Sequence, residues 1–203
     1  SFTRFGLHYQ AVLADTGNIG GNGSHQFMAL SNVGESEIVY CDNCGYAADV
    51  EKATIKDKEE ETSSLLELTK VETPNKRTIE EITEFLGVPA DRTAKTIIYH
   101  DFVNEKLIAA VVRGDREVNE IKLINESNSN ENYLVLATDD EIKSLGTIHG
   151  FCGPKGLNCD IYIDKEVSLM HNVVIGANEL NYHYLNANYG RDFAGKVCDI
   201  INA

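Results

Sequence analysis

The sequence predicts a mixed α+β (or α/β) fold, and three observations carry that reading. Short apolar runs of strand length, such as "KTIIYHDF", "KLIAAVVRG" and "CDIYID", are separated by turn residues. Between them lie segments with helical spacing and capping residues, "TIEEITEFLGVP" above all. No internal repeat is visible, so the elements build a compact domain and not an array.

The N-terminal part reads as β. "HYQAVLAD" and "SEIVYCD" alternate in part, "HQFMALS" is a further strand, and "DTGNIGGNGS" is a glycine-rich loop between strands. That loop leads into a strand and not a helix, so it reads as a hairpin tip, not a phosphate cradle. "VEKATIKDKEEETSSLLELTKVETPN" is charged and then turn-like, the composition of a connection between two units. After Pro74 the pattern changes. Thr78 caps a helix, Glu81 completes a capping box, and Ile79, Ile82, Phe85 and Leu86 make one apolar stripe. Gly87 and Pro89 end it. Two strands then meet around a turn at Asn104. "EVNEIKLINES" forms a second helix, "YLVLAT" a strand, and "DDEIKSLG" a third helix with an acidic start and a glycine stop. "CDIYID", "NVVIGAN" and "YHYLNANYG" complete a strand-rich end.

At 203 residues the chain supports one substantial core and a smaller annex. It begins without Met and ends on "CDIINA", which reads as a piece of a longer protein, and "SFTRFGLHYQ" has no signal-peptide core. No apolar run approaches about 18 residues, so no membrane span is expected. Five cysteines without a leader fit a reducing, cytoplasmic setting better than a disulfide framework. Cys41 and Cys44 have metal-ligand spacing, but no second pair follows to close a zinc site, and no metal is expected. A net charge of −14 argues against a broad nucleic-acid footprint. Residues 91–125 nevertheless carry six basic side chains against six acidic ones, a face neutral enough for the tip of an anionic ligand.

No GxSxG, HExxH, Walker A loop or dinucleotide-binding fingerprint is present. A diffuse polar set remains around the glycine loops: Lys95, Asn119, Gly150 to Pro154, Asp164, Ser168, Gly176, Asn178 and His183. Each has a plain structural reading. Lys95 is then a solvated lysine at a strand start, His183 a satisfied core histidine, and Asp164 a cap for the next element of the chain. Residue types alone reach only a pocket-bearing domain.

Order and wording go further. "VETPNKRTIEEITEFLGVPADRTAKTIIY", "VVRGDREVNEIKL", "GFCGPKGL", "IYIDKEV" and "VVIGANELNYHYLNANYGRDF" succeed one another in the chain. Together they closely resemble the editing (insertion) domain of bacterial-type prolyl-tRNA synthetase, within the YbaK-like deacylase superfamily. "GLHYQAVLADTGNIGGNGSHQFMALSNVGESEIVYCDNCGYAADVEKA" resembles the part of the class II catalytic domain that precedes this insertion, and "NYGRDF" onward resembles the return into it. The resemblance implies three segments. Residues 1–62 are a fragment of the catalytic domain, a small β-rich annex. Residues 63–190 are the editing domain, with a mixed, mainly antiparallel sheet flanked by helices. Residues 191–203 are the return. One departure is visible: where the family often has an acidic residue in "SHEF", Gln26 stands here and supplies no carboxylate to a prolyl amine.

The resemblance also implies a chemistry: hydrolysis of the ester of alanine mischarged onto tRNA(Pro). Gly150, Gly153 and Pro154 match the family's GxxxP loop beside the ester. A backbone without bulky side chains lets the ester approach, and its N–H groups can face the developing negative charge. Lys95 matches an essential lysine that orients the terminal phosphate or ribose. His183 matches a histidine of the amino-acid pocket, and Asp164 an acidic residue preceding it. Asn119, Phe151, Cys152, Ser168, Gly176 and Asn178 are carried over as substrate-binding. Cys152 has no base nearby in sequence, so water and not a thiol is the expected nucleophile. Editing needs no cofactor, ATP and Mg2+ serving only the full-length synthetase. The expected partners are the alanine-bearing 3′ end of tRNA(Pro) and the rest of the synthetase chain, itself a homodimer, with no membrane. Without the motif 2 loop, motif 3 arginine and anticodon-binding domain, this polypeptide alone is not expected to activate proline. A free-standing trans-editing deacylase and a non-catalytic module that holds tRNA ends are the alternatives.

Overall fold

The computed structural model describes residues 8–14, 24–31, 36–50, 52–54, 59–130 and 132–202. It divides into two compact units, Ser1–Lys56 with Asn202–Ala203, and Asp57–Ile201. The glycine-rich loop expected between the first strands falls, for residues 15–23, outside the described residues.

The smaller unit is a four-stranded sheet of β1 (Tyr9–Ala14), β2 (Ser24–Ala29), β3 (Ile38–Tyr40) and β4 (Ala47–Asp49), in the order β2-β1-β4-β3. β1 runs parallel to β4, and the other pairs are antiparallel. Val12, Ala14, Ala47, Ala48 and Ala53 are its buried apolar residues. Cys41 and Cys44 lie in the turn between β3 and β4, where Gly45 adopts a φ of +74° and donates to the Cys41 carbonyl at 3.0 Å. Both thiols are free, and the Cys41 thiol is pulled below its usual range by the amides of Cys44 and Asn43.

Among the described residues the larger unit holds two sheets and four α-helices. One sheet is antiparallel, β10 (Val173–Gly176), β11 (Tyr182–Ala187) and β5 (Thr69–Glu72), in that order. The other runs β12 (Lys196–Cys198), β9 (Asp160–Asp164), β7 (Lys106–Arg113), β6 (Ala94–Asp101), β8 (Leu134–Leu136). β6 pairs antiparallel with β7 and β8, while β9 is parallel to both β7 and β12, so the sheet is mixed. The run Ile108 to Val112 is buried throughout, as a central strand covered on both faces requires. A single parallel bridge from Thr93 to Val174 sets the start of β6 beside β10. That bridge joins the two sheets where the site lies.

The helices are α1 (Ile79–Leu86), α2 (Glu120–Ser127), α3 (Asp139–Ser144) and α4 (Lys165–Leu169). α1 forms with the expected caps. Thr78 and Glu81 make a reciprocal capping box, and Gly87 closes the helix at φ +67°. Its apolar stripe is narrower than expected. Ile82 is buried, but Phe85 is 48% exposed. Six residues after Ile79, it is rotated off the line that Ile79, Ile82 and Leu86 share, and the Lys76 ammonium covers its ring at 5.9 Å. The compact unit runs from Asp57 to Ile201. β12 extends its mixed sheet, and Ile200 and Ile201 are fully buried.

Candidate functional site

A cavity of about 360 Å³ opens where α1, the start of β6, the loop 148–154 and strands β10 and β11 converge. Of the residues singled out in the sequence, Lys95, Gly150, Cys152, Gly176 and His183 line it. Its apolar wall comes from Ile79 and Ile82 of α1 with Ile97, Val174 and Ile175 of the sheets. The elements explain the convergence: α1 is anchored by its caps, and the Thr93–Val174 bridge holds Lys95 across from Gly176.

The loop owes its composition to close backbone packing. A Cβ on Gly153 would lie 1.8 Å from the Gly176 carbonyl oxygen, and one on Gly176 would lie 2.2 Å from that of Cys152. Gly150 has φ +86°, and a Cβ there would meet the Arg77 side chain at 2.8 Å. Asn178 then fastens the loop. Its Oδ1 accepts from the Thr147 hydroxyl and from the Gly153 amide, both at 2.7 Å, and its Nδ2 donates to the Lys155 carbonyl at 2.9 Å. The Gly153 N–H is therefore committed to Asn178, and Gly153 is not on the cavity lining. The Phe151 amide is likewise used, by the Ile148 carbonyl. The amides of Gly150 and Cys152, both on the wall, have no backbone oxygen partner among the described residues.

His183 sits near the start of β11, between Gly176 of β10 and Val71 of β5. It is 3% exposed, with its Nδ1 2.6 Å from the Thr73 hydroxyl. Burial pushes its pKa down to about 4, so the imidazole is neutral at physiological pH. The buried ring of Phe151 packs beside it, centroids 5.5 Å apart. Lys95 presents its ammonium at the rim, where Glu117, also on the lining, receives it at 2.6 Å. Burial pushes the Cys152 thiol up, and that thiol donates to the Ile148 carbonyl at 3.3 Å. A thiol so placed is a poor nucleophile.

The other sequence-derived candidates do not line this cavity. Asp164 is fully buried and caps α4, accepting from the Glu166 amide at 2.9 Å and the Ile200 amide at 3.0 Å. Asn119 caps α2 through the Lys122 amide and donates its own amide to the Ile200 carbonyl. Ser168 donates within α4 to the Lys165 carbonyl. Asp164 and Asn119 thus hold the segment that follows β12, a fastening reinforced by Lys122 on Asp199 and on the Ile201 carbonyl. Phe151, Gly153, Pro154 and Asn178 stand behind the wall as its support. Among the described residues no group of three or more His, Cys, Asp or Glu could hold a metal ion, and no helix is long and apolar enough to cross a membrane.

The model of the aminoacyl-tRNA editing domain matches residues 73–193, more than half of the chain and all of the cavity's lining. The chain belongs to this family. The editing domain and its flanks are also 47% identical to proline–tRNA ligase of Syntrophomonas wolfei and 46% identical to that of a Thermoanaerobacter species. These alignments take in 100% and 99% of the chain but 35% and 36% of the relatives, so the chain spans about a third of the length of the curated relatives it matches. A solved structure described as a candidate trans-editing enzyme for prolyl tRNA synthetase superposes with a TM-score of 0.56 at 19% identity. The match covers 67% of this chain and 87% of that one, and it shows a shared fold.

Among the wall residues not singled out in the sequence, two stand out. Arg77, exposed in the turn before α1, reaches across Gly150. Thr96 places on the wall a buried hydroxyl with no hydrogen-bond partner among the described residues. The signal for Arg77 was its place one residue before the helix cap. Thr96 gave none beyond its neighbour Lys95.

Proposed function

We propose that the editing domain hydrolyses the ester of alanine mischarged onto tRNA(Pro), as the proofreading part of a proline–tRNA ligase. The observation that carries this reading is one small cavity bounded by a bare-backbone loop, a rim ammonium and a neutral buried imidazole. At about 360 Å³ it has the volume of a small-molecule pocket, enough for an aminoacyl-adenosine end. In this reading Ile79, Ile82 and Ile175, apolar side chains of the lining, receive the alanyl methyl, and proline is rejected by its size. Such a second sieve is needed because a synthetic site for proline gains only about 1–3 kcal/mol against a smaller side chain.

In this mechanism the Gly150 and Cys152 amides face the ester carbonyl, where charge develops as water adds. Asn178 keeps them in place by holding the loop. The carbon–oxygen bond to the ribose then breaks, the ribose oxygen takes the proton lost by the water, and alanine leaves. The neighbouring ribose hydroxyl assists that transfer. Lys95 leaves Glu117 to orient the terminal phosphate or ribose. The step uses no metal and no cofactor, ATP and Mg2+ belonging to proline activation by the full-length enzyme. That enzyme is a cytoplasmic homodimer which supplies the remaining tRNA contacts.

The test is deacylation of alanyl-tRNA(Pro), with prolyl-tRNA(Pro) as control, in the presence of EDTA. Selective loss of the alanyl ester is expected, without prolyl-adenylate formation by this chain. A rate no higher than spontaneous loss would favour a module that only holds tRNA ends. Lys95→Ala is expected to lower kcat/KM by roughly 100-fold and to leave Tm almost unchanged. Its partner Glu117 is 82% exposed, and such surface pairs contribute about 0–1 kcal/mol. Lys95→Arg should restore activity only in part, because the guanidinium fork differs in shape and reach. Full activity in Lys95→Ala would remove the lysine from the mechanism.

A further inference from the structure

We infer that Arg77 binds a phosphodiester of the substrate's 3′-terminal strand at the cavity mouth, an assignment that rests on the ester-hydrolase reading above. The protein is strongly acidic, with 32 Asp and Glu against 18 Lys and Arg. Arg92, Arg113, Arg116 and Arg191 each have a carboxylate within ion-pair distance. Arg77 is the exception among the described arginines. Glu81, four residues on, is turned instead to the Arg77 and Thr78 amides as part of the α1 cap, and Glu80, on the same lining, makes no ion pair with it. The guanidinium is left exposed, on the lining of the same cavity as Lys95.

It is also held in place. The guanidinium carbon stands 5.6 Å over the centre of the buried Phe151 ring, and Nη1 reaches the His149 carbonyl at 3.5 Å. Its stem lies directly on Gly150, where any Cβ would come within 2.8 Å of the Arg77 Cβ and 2.9 Å of its Cγ. The absence of a side chain at Gly150 is what lets the arm cross the loop. An aromatic seat reduces the freedom lost when the planar fork takes a phosphate through two parallel N–H donors. Lys95, by contrast, is already neutralised by Glu117 and becomes available only by exchange. The unpaired cation at the rim is therefore the first to meet an anionic strand.

Two substrates separate this role from a structural one: an alanyl ester of adenosine, which has no phosphate, and an alanyl ester of an RNA microhelix ending in CCA. Arg77→Met keeps the stem and loses the charge. It is expected to raise KM for the microhelix by about 10- to 100-fold, the range of a lost charge-assisted hydrogen bond, with kcat little changed. The salt dependence of log KM should become shallower by about 0.7 for one phosphate contact on a single strand. Hydrolysis of alanyl-adenosine should be unaffected, and Arg77→Lys should recover part of the loss. Equal losses on both substrates would assign Arg77 to loop packing and overturn the proposal, as would no loss on either. If the wild type cleaves neither ester, the hydrolase reading fails. Binding of the uncharged microhelix to wild type and Arg77→Met then decides the arginine's role by itself, with equal affinities rejecting it.

Discussion

Gly153→Ala is expected to abolish most ester hydrolysis and to lower Tm by roughly 5–10 °C. The new methyl would stand 1.8 Å from the Gly176 carbonyl oxygen and 2.7 Å from its carbon. Both are backbone atoms of β10, so no side chain can swing away; the loop or the strand must move. Overpacking of this kind costs about 1–3 kcal/mol and sometimes more, and each kcal/mol moves Tm by roughly 2–4 °C in a chain of this size. The effect on activity is larger, because the displaced loop carries the Gly150 and Cys152 amides. A misplacement of about 1 Å at such a site costs on the order of 100-fold. Gly156→Ala is the control. It has φ +79° but open space around it, so it should cost stability modestly and spare activity. Thermal melts and deacylation rates of the two variants check this. Wild-type behaviour of Gly153→Ala would mean that the contact with Gly176 is not what holds the loop.

The contrast between the two glycines shows what the sequence could and could not convey. The bareness of "GFCGPKGL" was visible, but its reason was not. Gly153 is small because Gly176, 23 residues away, packs backbone to backbone against it, and Gly150 is small because Arg77 crosses it. Such long-range approaches leave no local pattern. Local grammar was fully legible where the cause is local: the Thr78–Glu81 capping box with its Gly87 stop, and the β6–β7 hairpin. The short elements β4, β5, α4 and β12 escaped because three to five residues give too little periodicity to read. Asp164 illustrates the remaining ambiguity. Its plain reading as a cap describes what its carboxylate does, and its place away from the cavity lining depends on where β12 folds back.

His183→Ala is expected to shift the preference between esters toward the bulkier prolyl ester. Buried against Phe151 and bonded through Nδ1 to Thr73, the imidazole fills the wall with a neutral, fixed group. Removing it enlarges the cavity, so alanyl ester should be held less well while the bulkier prolyl ester gains relative to it. A general base would behave otherwise, its loss depressing both esters alike by roughly 10²–10⁴-fold. The pH dependence gives independent support for choosing the wall. With a pKa pushed down to about 4, His183 does not titrate near neutrality and is too weakly basic for efficient proton transfer there. Wild-type hydrolysis should show no imidazole inflection between about pH 5.5 and 8. Stability moves with the same shift. Folding lowers this pKa from 6.5, so below that value the unfolded chain takes up the proton first. The contribution of neutral His183 is complete above about pH 6.5 and is lost as pH falls toward 4, a dependence that His183→Ala should remove. Equal proportional losses on alanyl and prolyl esters, together with a wild-type inflection near neutrality that the variant lacks, would make His183 the catalyst; a shifted ester ratio on a flat profile makes it the sieve.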